Sequence, residues 1–365
     1  MIFSLGGVPL PVLSRVRTYV CGITPDDTTH IGHAATFVWV DTLARVLAHV
    51  GVETEVCRNI TDVDDDLLAA ARAAGTSPTA LATQQTFRFE DDMRKLRVAR
   101  PAFEPRAREY VTDVIFLARA LLDRGAAYER DGTVWFRGAH VAADAGVAPD
   151  EAARLLVAAG GEPAERTSDD PLDVAVWRRS GPDEPSWSSP WGDGRPGWHA
   201  ECAAMSTALL GLGIDVQAGG ADLAFPHHAY TAAMVEAATG QAPFARAHMH
   251  VGTVTLGGAK VAKSTGNLVF VEDLLRRWPG EVLRLHLLDR PWHDTWEFAE
   301  ADLDATAGRL EALLSAAASL DDDEAATGAA LDALATDLDV PRALAIAADA
   351  GGRTLSTVGK LVGVL

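Results

Sequence analysis

A chain of 365 residues, 48% hydrophobic and 23% charged, has the make-up of a globular protein of two or three modules. No stretch of it approaches the roughly 20 apolar residues that a membrane span requires. A formal net charge of −19 with no Lys/Arg-rich run weighs against a nucleic-acid partner, because neutralising phosphates takes a basic face. Three cysteines far apart in sequence, Cys21, Cys57 and Cys202, make no disulfide framework. Together with an N-terminus that has no basic segment ahead of its apolar residues, they point to a reducing cytoplasm.

Residues 16–21 (VRTYVC) read as a short buried strand, followed by a turn over 22–29. The spacing of Phe37, Val40, Leu43, Leu47 and Val50 predicts a helix from about Ile31 to Val50, stopped at Gly51. Val52 to Thr61 alternates in the manner of a strand, and a second helix is expected from near Asp62, with the acidic run Asp62–Asp66 as its N-terminal charge cluster. Strand, helix, strand, helix over so short a span implies an α/β, Rossmann-like parallel sheet with crossovers, here assigned to residues 1–100. Residues 101–185 look like an inserted connective module: a helix near 106–124, a strand pair around Ala127–Phe136, a polar helix near 150–160 and a Pro/Gly/Trp-rich loop over 180–198. The second half of the sheet is expected over 186–255, a glycine-rich loop with helices over 256–310, and an Ala/Leu-rich helical region over 311–365.

Two short motifs carry chemistry. His30-Ile31-Gly32-His33 stands where the first strand hands over to its helix, a place where backbone N–H groups and the helix dipole favour phosphate. Lys260-Val261-Ala262-Lys263-Ser264 lies on a glycine-flanked loop whose two lysines can close over a polyphosphate. Alone, the first also reads as two capping or surface histidines and the second as a solvated loop. Together, in this order and about 230 residues apart, they are the arrangement of the class I aminoacyl-tRNA synthetases.

Further blocks narrow the resemblance. YVCGITPDDTTHIGH (19–33), RNITDVDDD (58–66), PGWHAECAAMS (196–206) and GGADLAFPHH (219–228) resemble the cysteinyl-tRNA synthetases. GITPDDTTHIGHAATF, with Ala34-Ala35 after the histidine motif, and the final STVGKLVGVL resemble the mycothiol-pathway cysteine ligases, which join cysteine to the amino group of glucosaminyl-inositol. No full anticodon-binding extension is expected. The resemblance implies a class I synthetase (HUP-type) fold and a zinc site at Cys21, Cys202 and His227, a donor set that suits a catalytic zinc with an open position. The cysteinyl enzymes carry a glutamate as fourth ligand where this chain has Thr231, so the substrate thiolate would complete the tetrahedron and serine would be rejected. The resemblance also implies that Trp198 walls the thiol pocket, Thr61 contacts the amino acid and Asp222 holds its ammonium. Thr24, Gly32, Gly219, Gly220, His250, Gly252, Val254 and Ser264 fall at its nucleotide-side positions. His30, His33, Lys260 and Lys263 are the expected catalytic set, and Cys57, with no matching role, is expected in the core.

Several positions depart from the pattern: Asp26 for a tyrosine, Ala218 for a glycine, Ala221 for a serine, Ala229 for a glutamate and Val261-Ala262 for Met-Ser. The expected protein is an AMP-forming ligase, a monomer or homodimer, using zinc, cysteine, ATP with Mg²⁺ and a small amine, glucosaminyl-inositol or another. Two readings stay open beside it: an enzyme that still acylates tRNA, and a non-catalytic relative binding cysteine or nucleotide.

Overall fold

The computed structural model describes residues 3–159, 168–182 and 184–365, with residue 264 described in its backbone only. A hairpin of β1 (Phe3–Leu5) and β2 (Val8–Leu10) precedes β3 (Arg15–Ile23), α1 (Ile31–His49) and β4 (Glu53–Ile60). The helices α2 (Asp65–Ala73), α3 (Pro78–Lys95) and α4 (Val111–Asp123) follow, then β5 (Ala127–Arg130), β6 (Thr133–Phe136), α5 (Ala139–Asp144), α6 (Pro149–Ala158), β7 (Val174–Arg179) and β8 (Gly194–Pro196). The chain continues through α7 (Trp198–Leu210), β9 (Ile214–Gly220), α8 (Ala229–Thr239), β10 (Ala245–Val251), β11 (Val254–Leu256) and β12 (Ala259–Lys260). It ends with α9 (Val271–Leu275), α10 (Gly280–Leu288), β13 (Trp296–Glu297), α11 (Asp302–Ala317), α12 (Glu324–Ala335), α13 (Val340–Ala350) and α14 (Gly352–Leu361). No described helix is long and apolar enough to cross a membrane.

The central sheet runs β10-β9-β3-β4 with every pair parallel. Because crossovers bury both faces of such a sheet, its inner strand reads as a near-continuous apolar run, and β3 obeys: Val16, Val20 and Ile23 enter one core, Tyr19 and Cys21 the other. The first core joins α1 to α10 and the C-terminal helices. The second joins α4, α7 and α8 to the insert and takes in Cys57, fully buried. Strand order turns outward in opposite directions from β3 and β9, and the crevice beyond their C-terminal ends is where such folds bind ligands.

The insert forms its own antiparallel sheet, β5-β6-β7-β8. Its last strand pairs Gly194 with Arg179 and Pro196 with Trp177, so the boundary expected at 185 falls inside this sheet. Similarly, the helix expected near Asp62 begins at Asp65. Asp64 caps it by accepting from the Asp66 N–H at 2.8 Å, while Asp62 is buried against Arg108 and Arg106.

Arg284 of α10 is fully buried and joins distant parts of the chain. It donates to the carbonyls of Val362 at 2.6 Å and Leu96 at 3.0 Å and pairs with Asp41 of α1. Asp41 in turn accepts from the Ala99 N–H at 2.8 Å and from Arg45 at 2.6 Å. Without Arg284, Asp41 keeps Arg45 and the Ala99 N–H, but the Val362 and Leu96 carbonyls lose their donor, so Arg284→Met is expected to cost ~1–3 kcal/mol, read as a lower urea midpoint at unchanged slope.

Candidate active site

A cleft of about 280 Å³ opens at the C-terminal ends of β3, β4 and β9, roofed by the loop that follows β11. Its lining gathers fifteen of the residues singled out in the sequence: Cys21, Thr24, His30, Gly32, His33 and Thr61 from the first half of the sheet; Trp198, Cys202, Gly220, Asp222 and His227 from the second; Gly252, Val254, Lys260 and Lys263 from the closing segment. Gly219 and His250 do not line it, and the Ser264 side chain lies outside the described residues.

At the cleft floor the sulfur atoms of Cys21 and Cys202 and a ring nitrogen of His227 lie within 4.8 Å of one another, all buried. Burial and the neighbouring Cys202 push the Cys21 thiol well above its usual range, a cost that a cation bound among the three donors would reverse. Two thiols and an imidazole converging in this way could hold a metal ion, and the set suits zinc. His227 Nε2 stands 3.3 Å from Cys202 Sγ, its Nδ1 lies 2.8 Å from His199 Nδ1, and Trp198 stacks on its ring at 4.0 Å. Such outer contacts fix a ligand's tautomer and ring plane. Thr231 is turned away, its hydroxyl directed to the His199 carbonyl at 3.4 Å.

Sequence reasoning missed the histidines behind this cluster. His228 Nε2 lies 3.2 Å from Cys21 Sγ, and its Nδ1 lies 2.8 Å from His250 Nε2. The ring of His250, expected beside the nucleotide, is therefore engaged with His228. At Gly219 a Cβ would stand 2.9 Å from both the His228 ring and the Leu223 side chain, so the glycine makes room for the two. Gly22 was also missed. Its N–H donates to Asn59 Oδ1 at 3.0 Å, and a Cβ would fall 1.7 Å from the Asn59 carbonyl oxygen, so only glycine permits this contact between β3 and β4.

The other end of the cleft is built for anions. His30 caps α1, and its Nδ1 accepts from the Gly32 N–H at 3.1 Å, which places the ring proton on Nε2. His33, one turn in, stacks on His30 at 3.7 Å. Burial lowers His30 to about 2, with help from His33 and Lys260, and lowers His33 to about 4, with help from Lys260. Both imidazoles are thus neutral donors at pH 7. The His30 turn is tied to the stretch after the lysine loop by Ile31 N–H to Val269 O and Val271 N–H to Thr29 O, each 2.9 Å. Lys260 Nζ pairs with Asp222 at 2.6 Å and Lys263 Nζ with Asp26 at 2.7 Å, so each loop cation rests on a carboxylate of the facing wall. Beside them, the hydroxyls of Thr24 and Thr61 share a hydrogen bond of 2.9 Å.

This fold and this constellation define a class I aminoacyl-tRNA synthetase catalytic core. Residues 11–308 match the family described as tRNA synthetases class I (C) catalytic domain, and the chain belongs to it. Within that family its relatives are cysteine ligases. The chain is 44% identical to the L-cysteine:1D-myo-inositol 2-amino-2-deoxy-alpha-D-glucopyranoside ligase of Acidothermus cellulolyticus, over 90% of this chain and 83% of that protein. It is 43% identical to the ligase of the same name from Streptomyces griseus, over 90% and 82%. Among solved structures, Mycobacterium tuberculosis methionyl-tRNA synthetase in complex with methionyl-adenylate shares the fold at a TM-score of 0.63 and 17% identity, over 96% of this chain and 82% of that one.

Burial holds His33, His199, His227 and His228 neutral, with folded pKa values below the ordinary 6.5. Above pH 6.5 folded and unfolded chains bind the same protons at these rings. Below it only the unfolded chain protonates, so stability falls as pH drops from 6.5 toward 4, by up to ~1.4 kcal/mol per ring per pH unit. The buried acids Asp64, Asp92 and Glu201, raised in the folded chain, oppose this trend but are outnumbered by the lowered histidines, so the thermal midpoint is expected to drop between pH 6.5 and 5; a midpoint that rises over that range would contradict these neutral rings.

Proposed function

We propose that the protein activates cysteine with ATP, as cysteinyl-adenylate, and joins it to the amine of 1D-myo-inositol 2-amino-2-deoxy-α-D-glucopyranoside. The observation that carries this reading is the meeting of a Cys21–Cys202–His227 metal cluster with the His30–His33 turn and two loop lysines in one cleft. Zinc held by those three ligands would supply an open position for a thiolate, which distinguishes cysteine from serine. Trp198, stacked on His227, walls that position. Asp222, which pairs with the ammonium of Lys260, would take the substrate ammonium in its stead.

In the first step the cysteine carboxylate attacks the α-phosphorus of ATP and pyrophosphate leaves. His30, protonated on Nε2, and His33 donate to phosphate oxygens as neutral groups, which spares the site the cost of burying two more cations. Lys260 and Lys263, on a loop able to leave Asp222 and Asp26, carry their charge to the departing pyrophosphate; Mg²⁺ enters with ATP. In the second step the acceptor nitrogen attacks the adenylate carbonyl, the C–N bond forms and AMP leaves with the electron pair of the broken C–O bond. The net charge of −19 favours a small amine over tRNA at this step.

The reading is tested by amino-acid-dependent exchange of labelled pyrophosphate into ATP on zinc-quantified protein. Exchange with cysteine alone is expected, with amide formation once the amine is added. Cys202→Ser should lower zinc content and cut exchange by on the order of 100-fold, and Asp222→Asn should raise the KM for cysteine by about tenfold. No exchange with any amino acid on zinc-loaded protein would sink the proposal, and tight, salt-sensitive tRNA binding would favour a tRNA acceptor.

A further inference from the structure

Lys263 Nζ lies 2.7 Å from the carboxylate of Asp26, which stands on the turn between β3 and α1. Both residues line the cleft with His30 and His33. The Asp26 side chain is 15% exposed against 56% for Lys263, so the carboxylate is set into the wall and the ammonium is the partner free to move. Asp27, next along the turn, is tied to its own backbone and accepts from the Thr28 N–H at 2.7 Å. Among the described residues no cation other than Lys263 pairs with Asp26.

The loop does not need this pair to keep its shape. Val261 is buried, and its N–H donates to the Val254 carbonyl at 2.9 Å. The Ala262 N–H donates to Asn267 Oδ1 at 3.1 Å, and the Thr265 hydroxyl lies 2.7 Å from the Ala262 carbonyl and 3.0 Å from that of Lys260. With the backbone held in this way, the flexible stem of Lys263 can swing its ammonium from one anion to another. A polyphosphate that recruits Lys263 must therefore displace Asp26. It then leaves a carboxylate without its cation, in a neighbourhood where Asp27 and Asp66 add to the negative field at Lys263.

We propose that Asp26 is a positioning residue that competes with pyrophosphate for Lys263: it holds the ammonium in the resting cleft, yields it to ATP and reclaims it as pyrophosphate departs. The assignment rests on the ligase reading for the identity of the polyphosphate. Such competition weakens the grip on ATP and on pyrophosphate alike. Its benefit falls after the first step, because a loosely held pyrophosphate spends less time beside the new adenylate and reverses the reaction less often. Asp26 also stands at one of the positions where the chain departs from the synthetase pattern, which sets this competition apart from the machinery that the chain shares with those enzymes.

Calorimetric titration of the full-length zinc protein with magnesium pyrophosphate, in the absence of amino acid, tests this. Asp26→Asn removes the charge and keeps a residue suited to a turn; it is expected to bind pyrophosphate about fivefold more tightly than wild type. Asp26→Glu restores the charge and is expected to stay within about twofold of wild type. In a Lys263→Met background the change Asp26→Asn should move the affinity by less than about twofold, an outcome that neither general repulsion by Asp26 nor a structural role would give. Tightening of equal size in that background overturns the assignment, as does an Asp26→Glu protein that binds as tightly as Asp26→Asn. So does an affinity that Asp26→Asn leaves within about twofold of wild type or weakens, or the absence of pyrophosphate binding by all of these proteins. Cysteine-dependent exchange with an affinity indifferent to Asp26 would sink the competition and spare the activation chemistry. An affinity set by Asp26 through Lys263, without exchange for any amino acid, would do the reverse.

Discussion

Everything in the site depends on the parallel register of β3 with its two neighbours. Val20 stands opposite Arg58 of β4 and Ala218 of β9, so the three strands end at one level. Cys21, Thr61 and Gly220 thereby reach the same rim from parts of the chain up to 199 residues apart. A slip of one residue would move Cys21 out of the core that holds Cys202 and into the one that faces the C-terminal helices. Gly22 sits where the β3–β4 register shifts between Val20 and Ile23, and the Asn59 carbonyl leaves no room there for a larger residue.

Around that rim the protein separates two kinds of chemistry. One end concentrates soft and neutral donors, thiols and imidazoles, in surroundings dry enough to hold them uncharged. The other concentrates charge on exchangeable groups nearer water: two exposed lysines on a loop, against the exposed Asp222 and the half-buried Asp26. Burial does the sorting. A neutral imidazole can be enclosed at little cost, whereas an ammonium that must move between partners has to stay near water.

The legible parts of the sequence were the local ones. The His30–His33 turn follows a strand and caps a helix, and the lysine loop carries its own glycines, so neighbours in sequence sufficed to read both. The thiol–imidazole cluster had no such signal: Cys21 and Cys202 stand 181 residues apart, and only resemblance to the cysteinyl enzymes brought them together. His199 and His228 gave no sign of their partners for the same reason. Gly219 and His250 both meet the His228 imidazole, a contact between separate elements that no local pattern signals. The strand Gly194–Pro196 was hidden because three residues rich in Gly and Pro read as loop; pairing with Trp177 and Arg179 makes them a strand, and that pairing is not local.

The buried guanidinium of Arg284 also orders events in time. During synthesis the ribosome delivers Asp41 some 240 residues before Arg284, and the Val362 carbonyl that completes the arginine's bonds comes later still. Until then Asp41 pairs only with Arg45, one turn along the same helix, and the Leu96 carbonyl awaits its donor. The buried link between the first helix and the last is thus completed only once the end of α14 has been made. Contacts of such sequence separation form slowly, so the last elements made act as the clasp on the first.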